Sequence, residues 1–354
     1  MYRFGNKLKI SIDGESHSAE MKVTLSGLPE GFEIDEKKLL AFMQRRKSGA
    51  VGTTARTEND VPQIISGITD GKTDGRDFTA IIKNENIKPS DYSEIADIPR
   101  PGHADYTSYV KYGRIFPGGG RFSGRMTAPL CIAGGAALQI LEKSGVEIAA
   151  HAQSVAGICD KSFNPCCQSL SDETAAMREN GVPVTDAAAA QKMTDAIKEA
   201  AEKGDSVGGI IECAVCGYPA GAGGELFEGI ESRISAAMFA IPAVKGVEFG
   251  AGFAAADSFG SENNDAFVTD GERIYTKTNN CGGILGGISN GMPIIFRAAV
   301  KPVPSISLPQ ESVSLSKKEN VILRINGRHD SCAVMRAVPA VEAAAGLVLL
   351  DLLL

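Results

Sequence analysis

The chain carries its chemistry-bearing motifs at both ends. Gly14-Glu15-Ser16-His17 stands near the start, Arg100-Pro101-Gly102-His103-Ala104-Asp105 in the first third, and Gly327-Arg328-His329-Asp330 near the finish. Histidine exchanges its proton at about pH 6.5, so imidazoles set among glycine, arginine and aspartate are candidates for proton transfer. Taken singly, each motif also reads as a capped turn. They can form one site only if the two ends of the chain meet inside one cooperative unit. That requirement outweighs length alone, which for 354 residues suggests roughly two domains. We therefore expect a single domain over residues 1–354.

The periodicities are mixed. Leu8, Ile10 and Ile12 alternate with polar residues, as do Met21, Val23 and Leu25, which predicts two half-buried strands with His17 in the loop between them. Asp35 can cap a helix running to about residue 47. Strand-like runs follow at residues 62–68 and 78–83. A loop over residues 85–123 then holds the His103 motif and Gly118-Gly119-Gly120; loops of that length are usually functional or disordered. Helices are expected over residues 124–143, 171–180, 186–203 and 226–240, and strands over 146–152, 209–216, 293–300 and 321–325. This order lacks the strict strand–helix alternation of a doubly wound sheet, so an α+β layered fold is expected. With 43% hydrophobic residues the chain can bury a large core. The apolar run at residues 338–354 is shorter than the roughly 20 residues of a membrane span and contains Pro339, Glu342 and Asp351. A buried terminal helix is the expectation, with no membrane association.

Several function classes fail on spacing. Gly67-Ile68-Thr69-Asp70-Gly71-Lys72-Thr73 has three residues between its glycines where a phosphate-binding loop needs four. No G-x-G-x-x-G follows a strand and opens a helix. A net charge of -7 argues against general nucleic-acid binding. The N-terminus shows no secretory pattern, so a cytoplasmic protein with reduced thiols is expected. Cys213-x-x-Cys216 lies in a strand pattern, where residues three apart face opposite sides; a structural role is expected for the cysteines. His151, also in a strand-like run, reads as structural.

Anion-binding signals are stronger. Gly118-Gly119-Gly120-Arg121-Phe122-Ser123-Gly124-Arg125 runs into a predicted helix. Glycines expose backbone N–H groups, a helix N-terminus favours negative charge, and arginines add forked donors. Arg45, Arg46 and Lys47 end the first helix, where cations also complement the helix dipole. With Arg56, Arg100, Arg328 and Arg336 they point to a ligand bearing several negative charges. The glycine-rich residues 279–291 and Lys301-Pro302-Val303-Pro304-Ser305 could let backbone approach a flat cofactor, although composition alone slightly favours turn punctuation there.

Taken in order from Gly14 to Ala343, these motifs resemble the chorismate synthase family. The resemblance also covers Ala243-Val244-Lys245-Gly246-Val247-Glu248, Gly282-Gly283-Ile284-Leu285-Gly286-Gly287-Ile288-Ser289-Asn290-Gly291, and Arg336-Ala337-Val338-Pro339. It implies a sandwich of helices between antiparallel β-sheets, assembled as a homotetramer. It implies a carbon–oxygen lyase that eliminates phosphate from 5-enolpyruvylshikimate 3-phosphate to give chorismate, with reduced FMN and no net redox change. By that resemblance His17 would protonate the leaving phosphate. His103 would donate a proton toward the flavin, and Asp330 would work with flavin N5 to remove the C6 proton. Substrate contacts would come from Ser16, Arg46, Arg100, Arg125 and Arg328. Flavin contacts would come from Arg121, Phe122, Ser123, Ala243, Gly286, Lys301, Pro302, Val303, Pro304, Ser305 and Arg328. No added reductase domain is evident, so an external flavin reductase would supply the reduced cofactor.

The chain departs from the family at Ser18 (usually Gly), Phe122 (usually Ser), Gly124 (usually Ala) and Ser331 (usually Pro). Residues 47–54 lack a second arginine at a position linked to NADPH. A divergent paralogue that binds the flavin or the phosphorylated ligand without turnover is the alternative.

Overall fold

A computed structural model describes residues 2–46, 60–84, 97–325 and 330–354. Two five-stranded antiparallel sheets enclose two long helices. The first sheet has the order Tyr2–Phe4, Lys9–Asp13, Glu20–Ser26, Phe78–Lys83, Gln63–Ser66. Ile10 pairs with Leu25 and Ile12 with Val23, so the alternating residues share one face. Ile10, Met21, Val23 and Leu25 are buried on it. The second sheet has the order Val244–Phe249, Ile294–Val300, Gly209–Cys216, Glu147–Val155, Ile158–Cys159. The architecture is α+β.

Between the sheets lie the helices Thr127–Lys143 and Val334–Leu353. The first packs on the strands of the first sheet, the second on those of the second sheet, and the two pack on each other. They approach closely because their contact points are small. A Cβ added at Gly134 would fall 2.3 Å from Ala343 Cβ, and one at Gly346 would fall 2.9 Å from Leu138 Cδ2. A continuous hydrophobic core runs from Leu8 to Leu350 across both sheets and both helices. The two ends of the chain therefore meet, as the spread of the motifs requires.

Polar residues in the terminal helix are paired rather than exposed. Glu342 takes both Arg45 Nη1 at 2.5 Å and the Ala150 N–H at 2.8 Å. Asp351 accepts from Leu8 N at 2.5 Å, Asn6 N at 3.0 Å and Arg233 Nη2. No helix among the described residues is long and apolar enough to cross a membrane.

The second sheet is buried on both faces. Cys213 belongs to the main core, whereas Cys216 joins Ala149, Phe163, Leu170, Met177, Ala214 and Ile295 on the outer side. The opposed facing expected from their spacing holds. His151 is fully buried, between Asp160 at 2.8 Å and Glu212 at 3.1 Å, in keeping with a structural role.

Several sequence-based boundaries move. The expected loop over residues 85–123 contains the helix Asp105–Tyr112, whose short amphipathic pattern is masked by tyrosines that stay exposed. The helix expected from residue 124 begins at Thr127, after a 3-10 turn at Gly124–Met126. That expected from 226 begins at Ile230, after a similar turn at Leu226–Glu228. The phosphate-loop lookalike is a tight hairpin, Ile68–Thr69 against Lys72–Thr73. Asp70 and Gly71 at its tip have φ of 49° and 75°, the positive values a two-residue hairpin turn demands.

Candidate active site

The glycine triplet is where the two histidine motifs meet. Gly118, Gly119 and Gly120 have φ of 58°, 81° and 46° within the turn Pro117–Phe122. Left-handed backbone in succession requires glycine. A Cβ at Gly118 would lie 2.0 Å from His17 Cε1, and one at Gly119 would lie 3.2 Å from His103 Nε2. Two imidazoles from distant parts of the chain thus rest on successive residues of one turn.

The loop carrying His17 is tied down on several sides. Ser16 N donates to Gly120 O at 3.3 Å, and Ser16 Oγ lies 2.9 Å from His17 Nδ1. Arg121 Nε donates to Glu15 Oε1 at 2.9 Å. Ser18 accepts from the Glu15 N–H at 3.0 Å and donates to Glu15 O at 2.8 Å. The serine at this position therefore closes the turn that aims His17.

His103 is held by its own motif. Its Nδ1 lies 2.6 Å from Asp105 Oδ1, while Arg100 Nε donates to Asp105 Oδ2 at 2.7 Å. Burial by itself would raise the Asp105 carboxyl. The hydrogen bonds from Arg100 and His103 outweigh it and hold the group well below the usual carboxylate range. Asp105 is thus a fixed anion, and it also sits in the first turn of a helix, where negative charge is favoured. Arg100 Nη1 reaches Ser305 Oγ at 3.1 Å, and Lys301 Nζ donates to Gly102 O. These two bonds bring Lys301–Ser305 against the His103 motif. Lys301 N also donates to Ala243 O at 3.0 Å, where Ala243 has φ of 75°.

Arginines form the adjoining wall. Asp60 Oδ2 lies 2.5 Å from Arg46 Nη1, and Asp60 Oδ1 pairs with Arg125 Nη1. Arg46 Nη2 donates to Thr127 Oγ1 at 3.2 Å, and Arg125 Nε to Asn84 Oδ1 at 3.2 Å. Asn84 Nδ2 in turn donates to Ser18 O at 2.7 Å, which joins this wall to the His17 turn. Arg336 Nε donates to Arg46 O at 3.2 Å and Arg336 Nη1 to Asp330 Oδ2 at 2.7 Å. Arg46 is 2% exposed, and its Nε has no hydrogen-bond partner among the described residues. Burial lowers its pKa, and the cations Arg336 and Arg125 push the same way. A buried guanidinium with an unsatisfied donor is costly unless something anionic answers it.

The chain is similar to known proteins along nearly its whole length. The family model described as "Chorismate synthase" matches residues 8–354. A chorismate synthase of Lancefieldella parvula is 46% identical over 363 residues, covering 99% of this chain and 95% of the relative. One of Thermococcus kodakarensis is 42% identical over 352 residues, covering 99% and 97%. The chain belongs to the chorismate synthase family. A crystal structure of a chorismate synthase superposes with a TM-score of 0.78 at 27% identity, covering 99% of this chain and 92% of that one. The chorismate synthases are lyases, and this chain is an enzyme of that class.

Within this chorismate synthase fold the sequence-predicted residues fall into groups. His17, Ser16, His103, Arg121 and Ser123 surround the glycine turn. Arg46 and Arg125 share Asp60, and Asp330 reaches them through Arg336. Ser123 Oγ accepts from the Arg125 N–H at 3.2 Å and so sets the path into the helix at Thr127. Phe122 packs edge-on against Phe116, 6.3 Å between centroids, rather than offering the hydroxyl usual there. Arg100 spends its donors on Asp105 and Ser305, and its Nη2 lies 3.1 Å from His103 Nδ1. Gly286 sits in the hairpin Ile284–Leu285 and Ile288–Ser289, which docks on Gly223 and Ile230. Arg328 and the segment 47–54 lie outside the described residues.

Sequence reasoning missed Asp60, which orients both arginines, and Asn84, which orients Arg125. Neither stands in a glycine-marked motif, and only the pairing of the strands Phe78–Lys83 and Gln63–Ser66 brings them together. Lys245 was also missed as a cation. Burial lowers the pKa of Lys301, and Lys245 beside it adds to the effect.

A phosphate-bearing cofactor fits these residues on one count: Lys245 and Lys301 are like charges that disfavour each other, and a bound anion would relieve both.

Proposed function

We propose that this chain eliminates phosphate from 5-enolpyruvylshikimate 3-phosphate to give chorismate. The observation that carries the reading is the seating of His17 and His103 on Gly118 and Gly119, beside arginines held by Asp60. Reduced FMN, when bound, supplies the electron-rich partner that the elimination needs without net redox change. Arg121, Phe122, Ser123, Ala243, Gly286, Lys301, Pro302, Val303, Pro304, Ser305 and Arg328 would hold it, with Lys245 as an added cation.

The protein's own part is positioning and proton transfer. Arg46, Arg125 and Arg328, with Ser16, bind the anionic groups of the substrate. Arg46 answers its buried donor that way, and Asp60 keeps two guanidiniums oriented before the substrate arrives. Arg100 acts through His103 and Ser305. The imidazole of His17 gives its proton to the departing phosphate oxygen, which lowers the barrier to C–O cleavage. His103, fixed at Nδ1 by Asp105, keeps Nε2 directed at the Gly119 side, from which it donates a proton toward the cofactor. Asp330 takes part in removing the C6 proton, with Arg336 setting its carboxylate.

We further read residues 1–354 as one domain of a cytoplasmic homotetramer that receives reduced flavin from a separate reductase. Exposed Leu226, Phe227, Phe253 and Phe259 support self-association, since large apolar patches mark interaction surfaces. The test is an anaerobic assay with reduced FMN and the enolpyruvyl substrate, following chorismate and phosphate. Equal release of both is expected, and His17→Ala should lower turnover by roughly 100-fold or more. Clear FMN binding without product would replace this reading with that of a binding paralogue.

A further inference from the structure

Eight cysteines in the sequence suggest no pairing by their spacing, yet the fold brings two of them together. Cys216 ends the strand Gly209–Cys216 on the outer face of the second sheet and is 1% exposed. Cys167 lies in a turn closed by its N–H on Asn164 O at 3.0 Å, and it is half-buried. Their Sγ atoms are 3.1 Å apart although the residues are 49 positions apart in sequence. A disulfide needs about 2.04 Å between sulfurs. Side-chain rotation with a small shift of the turn closes the difference.

We propose that Cys167 and Cys216 form a thiol–disulfide exchange site whose oxidant is a low-molecular-mass disulfide such as glutathione disulfide. The two sulfurs are suited to different steps. Cys167 is reachable, and its hydrogen bond with Cys216 lowers its pKa and favours the thiolate, which is the attacking species. Cys216 is inaccessible, and the hydrogen bond with Cys167, with burial, pushes its pKa up. The Cys167 thiolate attacks one sulfur of the reagent, forming a mixed disulfide and releasing one thiolate. Cys216 then gives up its proton and attacks the Cys167 sulfur, displacing the second thiolate. Two protein thiols lose two electrons and two protons, and the reagent becomes two thiols.

The bond would fasten the segment around residues 163–170 to the sheet. Pro165 O, two residues from Cys167, accepts from Asn279 Nδ2 at 2.7 Å, and Asn279 Oδ1 accepts from the Gly283 N–H at 2.7 Å. The pair thus lies two residues from the anchor of the glycine-rich stretch.

The test is peptide mapping of the native protein after equilibration with glutathione disulfide over a range of ratios, with alkylation under denaturing conditions. A linked Cys167–Cys216 peptide is expected, reversed by dithiothreitol. Cys216→Ser should trap glutathione on Cys167, and Cys167→Ser should leave Cys216 unmodified. Exposed Cys159 reports simple glutathionylation in the same sample. A wild-type protein that accumulates glutathione on Cys167 while Cys216 stays alkylatable overturns the proposal. So does the absence of the linked peptide at every ratio. Both wild-type outcomes can be read without relying on the folding of either variant.

Discussion

A methyl group added at Gly118 would fall 2.0 Å from His17 Cε1, on a backbone with φ of 58°; at Gly119 the nearest atom, His103 Nε2, would be 3.2 Å away, with φ of 81°. Both substitutions by alanine carry the same left-handed penalty, about 1–2 kcal/mol. They differ in what the methyl displaces. Gly118→Ala must expel the His17 ring, whereas Gly119→Ala asks His103 to give only a few tenths of an ångström. Similar losses of thermal stability are expected, with turnover falling roughly 100-fold for Gly118→Ala, as for loss of the acid itself, and far less for Gly119→Ala. Steady-state turnover beside a melting curve for each variant checks this. The reverse order would show that His17 does not act from this seat. Ser18 belongs to the same scale. Its hydroxyl bonds both ends of Glu15, so the departure from glycine is accommodated by new bonds within the turn.

Among the elements, the terminal helix Val334–Leu353 shows how buried charge fixes register. Asp351 receives two backbone N–H groups from residues 6 and 8 and the guanidinium of Arg233, whose side chain is 10% exposed. Asp351→Ala leaves those backbone donors uncompensated and Arg233 with only the exposed Glu228, 3.0 Å from its Nη1, which costs about 3 kcal/mol. Urea unfolding should show a lower midpoint with an unchanged slope, since the area exposed on unfolding stays the same. Replacing both Asp351 and Arg233 by apolar residues should recover much of the loss. No recovery would mean that the backbone donors, not the ion pair, carry the cost. The existence of this helix was legible because its apolar run is long. Its start was not, because residues 334–337 read equally well as the end of a loop. In the same way Asp35 announced a helix and does accept from Lys37 N and Lys38 N. The helix Asp105–Tyr112 stayed hidden because its tyrosines and lysine give no apolar stripe.

At the scale of the whole molecule, the sequence disclosed which motifs must meet but not what joins them. The histidine and arginine motifs were legible through their glycines and charges. Asp60 and Asn84 depend on strand pairing between distant segments, and the Cys167–Cys216 contact on a turn folding back onto the second sheet; no local pattern encodes either. The same holds for the network around His151, and that network sets how the fold responds to pH. Burial acts to lower the pKa of His151, but hydrogen bonds with Asp160 and Glu212 outweigh it, and the net shift is upward. A raised imidazole stabilises the fold fully below its unfolded pKa, about 6.5, and that contribution is lost as pH rises through the folded value. Asp160 moves oppositely. Burial would raise it, yet His151 and the N–H groups of Thr185 and Asp186 hold it at about 2. Its contribution is present above the unfolded carboxylate pKa of about 3.9 and is lost as pH falls through about 2. Stability should therefore be greatest between roughly pH 4 and 6.5 and decline on both sides. His151→Gln should be less stable throughout, with a flatter decline on the alkaline side. Urea midpoints of both proteins from about pH 2 to pH 9 decide it. Parallel alkaline limbs would show that His151 is uncharged in the fold and that the pairing with Asp160 and Glu212 is one of neutral hydrogen bonds.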